Sequence, residues 1–255
     1  MSSTDWKTLI VTVDDGVATI AMNRPDRHNT ANNAMIEELH HCVGALADRD
    51  DLHVVRLTGT GRTFCPGGDI QAVADGDTFV QVDGKASPIY SVAAQLHDMP
   101  QLTIATINGG CAGAGLGFAC ACDIRVAKAS AKFTTAFLAL GVPGDMSLPW
   151  SLPRIIGAGP ARFLSFVPDK FLADQALALG LVSAVYADDD YEESVHALIA
   201  RLAATNPTAV RALKQNYLQA ERMDMATFAD YEANANLAIF DPSGFVGAGG
   251  AGANR

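Results

Sequence analysis

Two stretches of backbone, rather than a cluster of reactive side chains, carry the chemical signal in this sequence. A strand-like run over residues 53–58 passes into a loop ending at Gly67-Gly68, and a β-branched run over 102–107 passes into Gly109 to Gly117. Each glycine loop opens onto helical spacing. Glycine lets the backbone come close to a ligand, and the first N–H groups of a helix have no internal partner. Such groups hold a phosphate, a carboxylate or a developing oxyanion, and spacing does not choose among them. Either loop alone reads equally well as an ordinary connection.

Other chemistries lack their residues. A dinucleotide loop built on Gly113-x-Gly115 needs glycine where Phe118 stands, and no acidic residue follows at the expected distance. No Gly-Lys-Ser/Thr follows the glycines, and there is no G-x-S-x-G. The five cysteines have neither even count nor paired C-x-x-C spacing, so they read as free buried thiols. Six histidines show no ligand spacing, and adjacent His40 and His41 point apart on a helix, so no metal site is expected. A formal charge of −10 argues against a nucleic-acid partner. No apolar run reaches the ~18 residues of a membrane span, and the polar Met1 to Lys7 has no signal-peptide core. A cytoplasmic location is the expectation.

The elements that must position the loops read as an α/β chain, and 255 residues suffice for one large domain with an appendage. Residues 9–13 and 17–22 flank Asp14-Asp15-Gly16 as a hairpin. Residues 29–48 carry helical spacing (Met35, Leu39, Cys42, Val43, Leu46), with Asn29 or Thr30 as cap. Residues 75–88, polar with scattered glycine, read as a mobile loop. Helices are expected over 91–99 and 114–121, with a strand over 124–127. A tight turn lies at Gly141-Val142-Pro143-Gly144-Asp145, and the last third is mainly helical. The Gly/Ala-rich tail from Gly244 reads as loose.

Four ordered segments resemble the crotonase (enoyl-CoA hydratase/isomerase) superfamily. Val17 through Asn23-Arg24-Pro25 with Asn29 is similar to its opening hairpin. Leu57-Thr58-Gly59 through Phe64-Cys65-Pro66-Gly67-Gly68-Asp69-Ile70 is similar to its first loop. Ile107-Asn108-Gly109 through Gly113-Ala114-Gly115, with Cys122-Asp123-Ile124, is similar to its second. Lys132-Phe133 through Gly141, then Leu152-Pro153-Arg154-Ile155-Ile156-Gly157, is similar to the next stretch. The resemblance implies a ββα superhelix over 1–190, binding acyl-CoA. It also implies a helical region over 191–255 that builds a homotrimer or dimer of trimers. Coenzyme A would come as part of the substrate, with no permanently bound cofactor.

Residue by residue, the resemblance puts the two N–H groups that grip the thioester oxygen at Gly68 and Ala114. It puts the nucleotide end of coenzyme A along Gly68, Asp69, Ile70 and Gln71 and on Arg24, Arg27 and His28. Arg27 is the favoured phosphate partner, because Gln71 stands where relatives often carry Lys. Asp69 and Asp123 read better as braces for their loops. The two glutamates of the family's hydratases fall on Gly117 and Phe137, neither of which transfers a proton; Phe137 then reads as a substrate contact.

One carboxylate remains in the region, Asp145, where some isomerases and aroyl-CoA dehalogenases of the superfamily carry aspartate. Among Phe137, Leu148 and Trp150 its pKa should rise, which suits a general base. The competing structural reading is a helix N-cap. His97 reads as a packed or solvent-facing side chain. Three functions follow: double-bond isomerisation with Asp145 as base, hydrolysis or dehalogenation through Asp145, or acyl-CoA binding without chemistry. The end of the chain, Ser243 to Val246 and then no Lys, departs from the family's aromatic-plus-lysine helix and predicts a differently built nucleotide grip.

Overall fold

The computed structural model describes residues 6–240. The first five residues and the tail from 241, where the expectations about the chain start, the missing lysine and the loose end fall, lie outside them.

β1 (Leu9–Asp14) pairs antiparallel with β2 (Val17–Met22). The two-residue turn, Asp15-Gly16, has positive φ at both positions, the geometry whose twist matches the strands it joins. Ala18, Ile20 and Met22 are buried while their neighbours are not, the alternation of a strand with one face in the core.

α1 (Asn33–Ala47) buries Met35, Ile36, Leu39, Cys42, Val43 and Leu46, as its spacing requires. It starts later than the sequence suggests. Asn32, not Asn29 or Thr30, caps it, accepting from Met35 N at 3.1 Å. The residues before it form a tight turn in which His28 and Asn29 are left-handed. The buried Asn29 amide accepts from Arg24 N and donates to the Thr60 and Thr63 carbonyls, so it welds this turn to the next loop.

Two sheets then grow together. β3 (Val54–Gly59) enters the large sheet and β4 (Thr63–Cys65) the small one. α2 (Ile70–Ala74), a hairpin of β5 (Gln81–Val82) and β6 (Lys85–Ala86), and α3 (Val92–Asp98) bring the chain back. The second turn is β7 (Leu102–Ile107), β8 (Gly110–Ala112) and α4 (Ala114–Ala121). The third opens with β9 (Ile124–Lys128) and β10 (Lys132–Thr134), followed by α5 (Leu148–Ile156) and α6 (Ala158–Phe166). β11 (Phe171–Leu172), α7 (Ala173–Ala178) and β12 (Ala184–Tyr186) complete it. The large sheet runs β1-β2-β3-β7-β9-β12, and the small one β11-β10-β8-β4. From β2 onward all large-sheet neighbours are parallel. This is the α/β superhelix of ββα turns that the resemblance implies.

The segment read as a mobile loop carries the β5–β6 hairpin, turning at Asp83-Gly84 with φ positive at both. Parallel strands are covered on both faces. Val55, Leu57, Ala105, Ile107 and Ala127 face the main core. Val54, Ile104 and Val126 pack instead with Tyr191 and Val195 of α8 (Tyr191–Ala203). The first compact unit therefore runs to Ala204, past the expected boundary at 190. The second, from Thr205, contains α9 (Pro207–Ala220) and α10 (Met225–Ile239). No residue of α10 is buried, and Met225 and Leu237 are 88% and 79% exposed.

Candidate active site

The two glycine loops meet. Gly67 has φ +115° and Gly113 has φ +51°, backbone that side chains rarely adopt. Their chains pass so closely that a Cβ on Gly113 would lie 3.4 Å from the Gly67 Cα. Gly68 and Ala114 are the next residues along each chain, so the contact sets them side by side.

Local geometry leaves both N–H groups available. Ala31 bridges the first loop: its N–H donates to Gly67 O at 2.8 Å, and its carbonyl accepts from Asp69 N at 2.9 Å. In extended backbone, successive N–H groups point to opposite sides, so the Gly68 N–H faces away from Ala31. Ala114 is the first residue of α4, where a helix leaves its N–H groups without internal acceptors. Among the described residues neither N–H has a backbone acceptor. Gly68, Ala114 and Asp145 line one cavity of about 190 Å³.

Asp145 arrives there from the turn between β10 and α5. Gly144 (φ +144°), Met146 (+45°) and Ser147 (+56°) bend the backbone sharply, and Met146 is buried. Two successive left-handed residues with side chains cost roughly 1–2 kcal/mol each. The capping reading of Asp145 fails: Ser147 occupies the N-cap of α5, and among the described residues the Asp145 carboxylate accepts from Met146 N alone, at 2.8 Å. Burial pushes the carboxyl above its ordinary range, and the bond from Met146 N opposes this without cancelling it.

The positions expected to grip the nucleotide divide. Arg24, Arg27, Asp69 and Gln71 line a second, polar hollow of about 340 Å³. Arg24 is committed to the fold, donating to Asp69 Oδ2 at 2.8 Å and to the Thr30 carbonyl. Asp69 caps α2 through Ala72 N at 3.1 Å. Burial raises its carboxyl, but the bonds from Ala72 N, Arg24 and Thr30 outweigh that and leave it lowered. Arg27 is exposed and stands outside these bonds. His28 and Ile70 are exposed and line neither hollow. Phe137, expected to touch substrate, lines neither as well; it packs against the core, facing the close approach at Gly113. Asp123 accepts from Thr103 N and Oγ1 at 2.7 and 2.9 Å, joining β7 to β9. His97 packs edge-on to Trp150 at 5.1 Å and is not in the cavity wall.

Sequence reasoning missed that wall. Asn33 and Ile36 of α1, Val73 of α2, and Phe79 and Tyr90 from the returning segment line the same cavity as Asp145. The helical spacing of Asn33 and Ile36 and the Asp83-Gly84 turn were the available signals.

The sequence pattern of enoyl-CoA hydratases/isomerases matches residues 12–242. The chain belongs to this family. Over 229 residues it is 34% identical to the 1,2-epoxyphenylacetyl-CoA isomerase of Escherichia coli (strain K12), covering 86% of this chain and 85% of that one. Over 222 residues it is 32% identical to 4-chlorobenzoyl coenzyme A dehalogenase-1 of an Arthrobacter species, covering 86% and 80%. A Thermobifida fusca YX protein described as an enoyl-CoA hydratase, solved in complex with CoA, superposes with TM-score 0.81 at 31% identity, covering 91% and 92%.

Within this member of the family, Gly117 has a steric reason. A Cβ there would lie 2.6 Å from Met146 Cβ and 2.8 Å from Met146 O. The turn carrying Asp145 occupies the space that a side chain on this face of α4 would need. Among the described residues, no helix is long and apolar enough to cross a membrane.

Proposed function

We propose that the protein isomerises the double bond of an enoyl-CoA, with Asp145 as the proton shuttle. The observation that carries this is the placement of the half-buried Asp145 carboxylate, its pKa raised by desolvation, in the same cavity as the N–H groups of Gly68 and Ala114. In this reading the thioester oxygen accepts from both N–H groups. Asp145 takes a proton from carbon, the electron pair moves into the enolate, and the oxygen carries the charge. The same carboxyl returns its proton to a different carbon of the conjugated system, and the double bond has moved. No water is consumed and no thiol is freed. Coenzyme A enters as part of the substrate, and Arg27, at the rim of the polar hollow, meets its phosphates. The exposed apolar residues of α9 and α10 support a homo-oligomer, a trimer or dimer of trimers, and the location proposed is the cytoplasm.

The absence of a side chain at Gly117 and the apolar one at Phe137 argue against hydration. The dehalogenase relative supports a second reading, in which Asp145 attacks carbon and halide leaves. A 3-enoyl-CoA in deuterated buffer, followed by mass analysis, separates them. Isomerisation yields a conjugated product without the mass of water. Robust hydration of a 2-enoyl-CoA would overturn the proposal, and halide release from a haloaroyl-CoA would put the second reading in its place.

A further inference from the structure

One amide joins α1 to the returning segment in the lining of the Asp145 cavity. Asn33, at the first turn of α1, donates through Nδ2 to Asp77 Oδ1 at 2.5 Å and to the Thr78 carbonyl at 2.6 Å. Both are pure acceptors, so the orientation of the amide is fixed by chemistry. Its Oδ1 accepts from the Tyr90 hydroxyl at 2.8 Å, and that hydroxyl accepts from Val80 N at 2.8 Å. Asn33 N donates to Asp77 Oδ2 at 3.0 Å. One residue thus ties both ends of the returning segment to α1. Between those ends the hairpin residues Gln81, Val82, Lys85 and Ala86 are exposed, while Ser87 is buried and Ile89 packs against the core. Phe79 and Tyr90, with ring centroids 5.2 Å apart, form the aromatic part of this wall.

We infer that Asn33 is a positioning residue that sets the depth of the acyl site through this latch, restricting the protein to short or compact acyl groups. The inference rests on the acyl-CoA reading of the cavity. A volume of about 190 Å³ is small. It falls below the ~300–1,000 Å³ usual for sites holding drug-sized ligands. Phe79 and Tyr90 are part of its lining, and the hydrogen bonds at Thr78, Val80 and Tyr90 tie both to Asn33. Asn33→Asp keeps the size but turns both donors into acceptors facing Asp77 and Thr78. Adding Asp77→Asn restores a donor across the pair, with the polarity reversed.

The test is hydrogen exchange at Val80 N–H together with the affinities of two saturated, unreactive thioesters, butanoyl-CoA and decanoyl-CoA. The native protein should protect Val80 and prefer butanoyl-CoA. Asn33→Asp should expose Val80 and move the ratio of affinities about tenfold toward decanoyl-CoA, the scale of coupling between groups in contact. The double variant Asn33→Asp/Asp77→Asn should recover protection and most of the ratio, which a merely destabilised fold would not do. Native-like exchange and ratio in a folded Asn33→Asp protein would overturn the latch, as would a double variant no nearer to native than the single one. If neither thioester bound the native protein, the acyl-CoA reading would fail, and the specificity role with it. The exchange result would then report on the latch alone.

Discussion

Asp145 is held at some cost, and two measurements read it. Asp145→Asn removes the proton acceptor while keeping size, and the loss of a general base lowers turnover by ~10²–10⁴. Its ionised form is disfavoured by burial, so activity that needs the carboxylate should rise with pH through a pKa above the ordinary aspartate range. The same shift has a sign in stability. A carboxyl with a raised folded-state pKa contributes stability that is present below its unfolded pKa and is lost as pH rises through the folded pKa. An amide at this position cannot ionise, so Asp145→Asn should melt higher than native near neutrality, and the difference should vanish in acid. Thermal melts across pH check this, and a variant that melts lower at neutral pH would show a structural role instead. At Ala114, substitution by Pro removes one N–H at the first position of a helix, where proline is tolerated. Turnover should fall by ~10²–10³ with the fold intact, as measured by kinetics and circular dichroism.

At the scale of elements, the contact of α4 with the Asp145 turn decides what this scaffold can host. Gly117→Ala puts a Cβ at 2.6 Å from Met146 Cβ and 2.8 Å from its carbonyl oxygen, and backbone oxygen does not yield cheaply. Overpacking of this kind costs about 1–3 kcal/mol, measurable by denaturant titration. Gly117→Glu, which places a carboxylate at the hydratase position, should displace the turn carrying Asp145. The proposed isomerisation should then fall without a compensating gain in hydration. Appearance of hydration in that variant would mean that the turn moves more freely than its packing suggests. The buried Asn29 illustrates the same dependence on contact. It fits no helix cap, because its amide is already engaged by Arg24, Thr60 and Thr63.

For the whole molecule, the second unit leaves several large apolar side chains exposed. Met225, Leu237, Phe240, Leu213 and Tyr217 are between 57% and 88% exposed. Large apolar side chains left this exposed along two terminal helices are the kind of surface that a partner covers. Light scattering should report a mass of three or six chains at micromolar concentration, and a monomer would refute the assembly. The first unit owes its extent to a sheet that is apolar on both faces. α8 covers the face bearing Val54, Ile104 and Val126, which is why the core does not end at residue 190.

Strand periodicity in β2, the spacing of α1, the position of α4 and the helical character of the last third were legible in the sequence, because local propensity and burial agree there. The two glycine loops were legible too, since glycine marks positions where backbone must approach backbone. Their meeting at Gly67 and Gly113 was not, because it depends on the parallel pairing of β4 with β8, strands far apart in the chain. The start of α1 was misplaced because Asn29 caps well in isolation and is taken by long-range carbonyls in the folded chain. The cavity wall escaped notice for a similar reason. Asn33, Asp77 and Tyr90 are ordinary polar residues until the superhelix closes a loop between them, and only that closure gives their hydrogen bonds a direction.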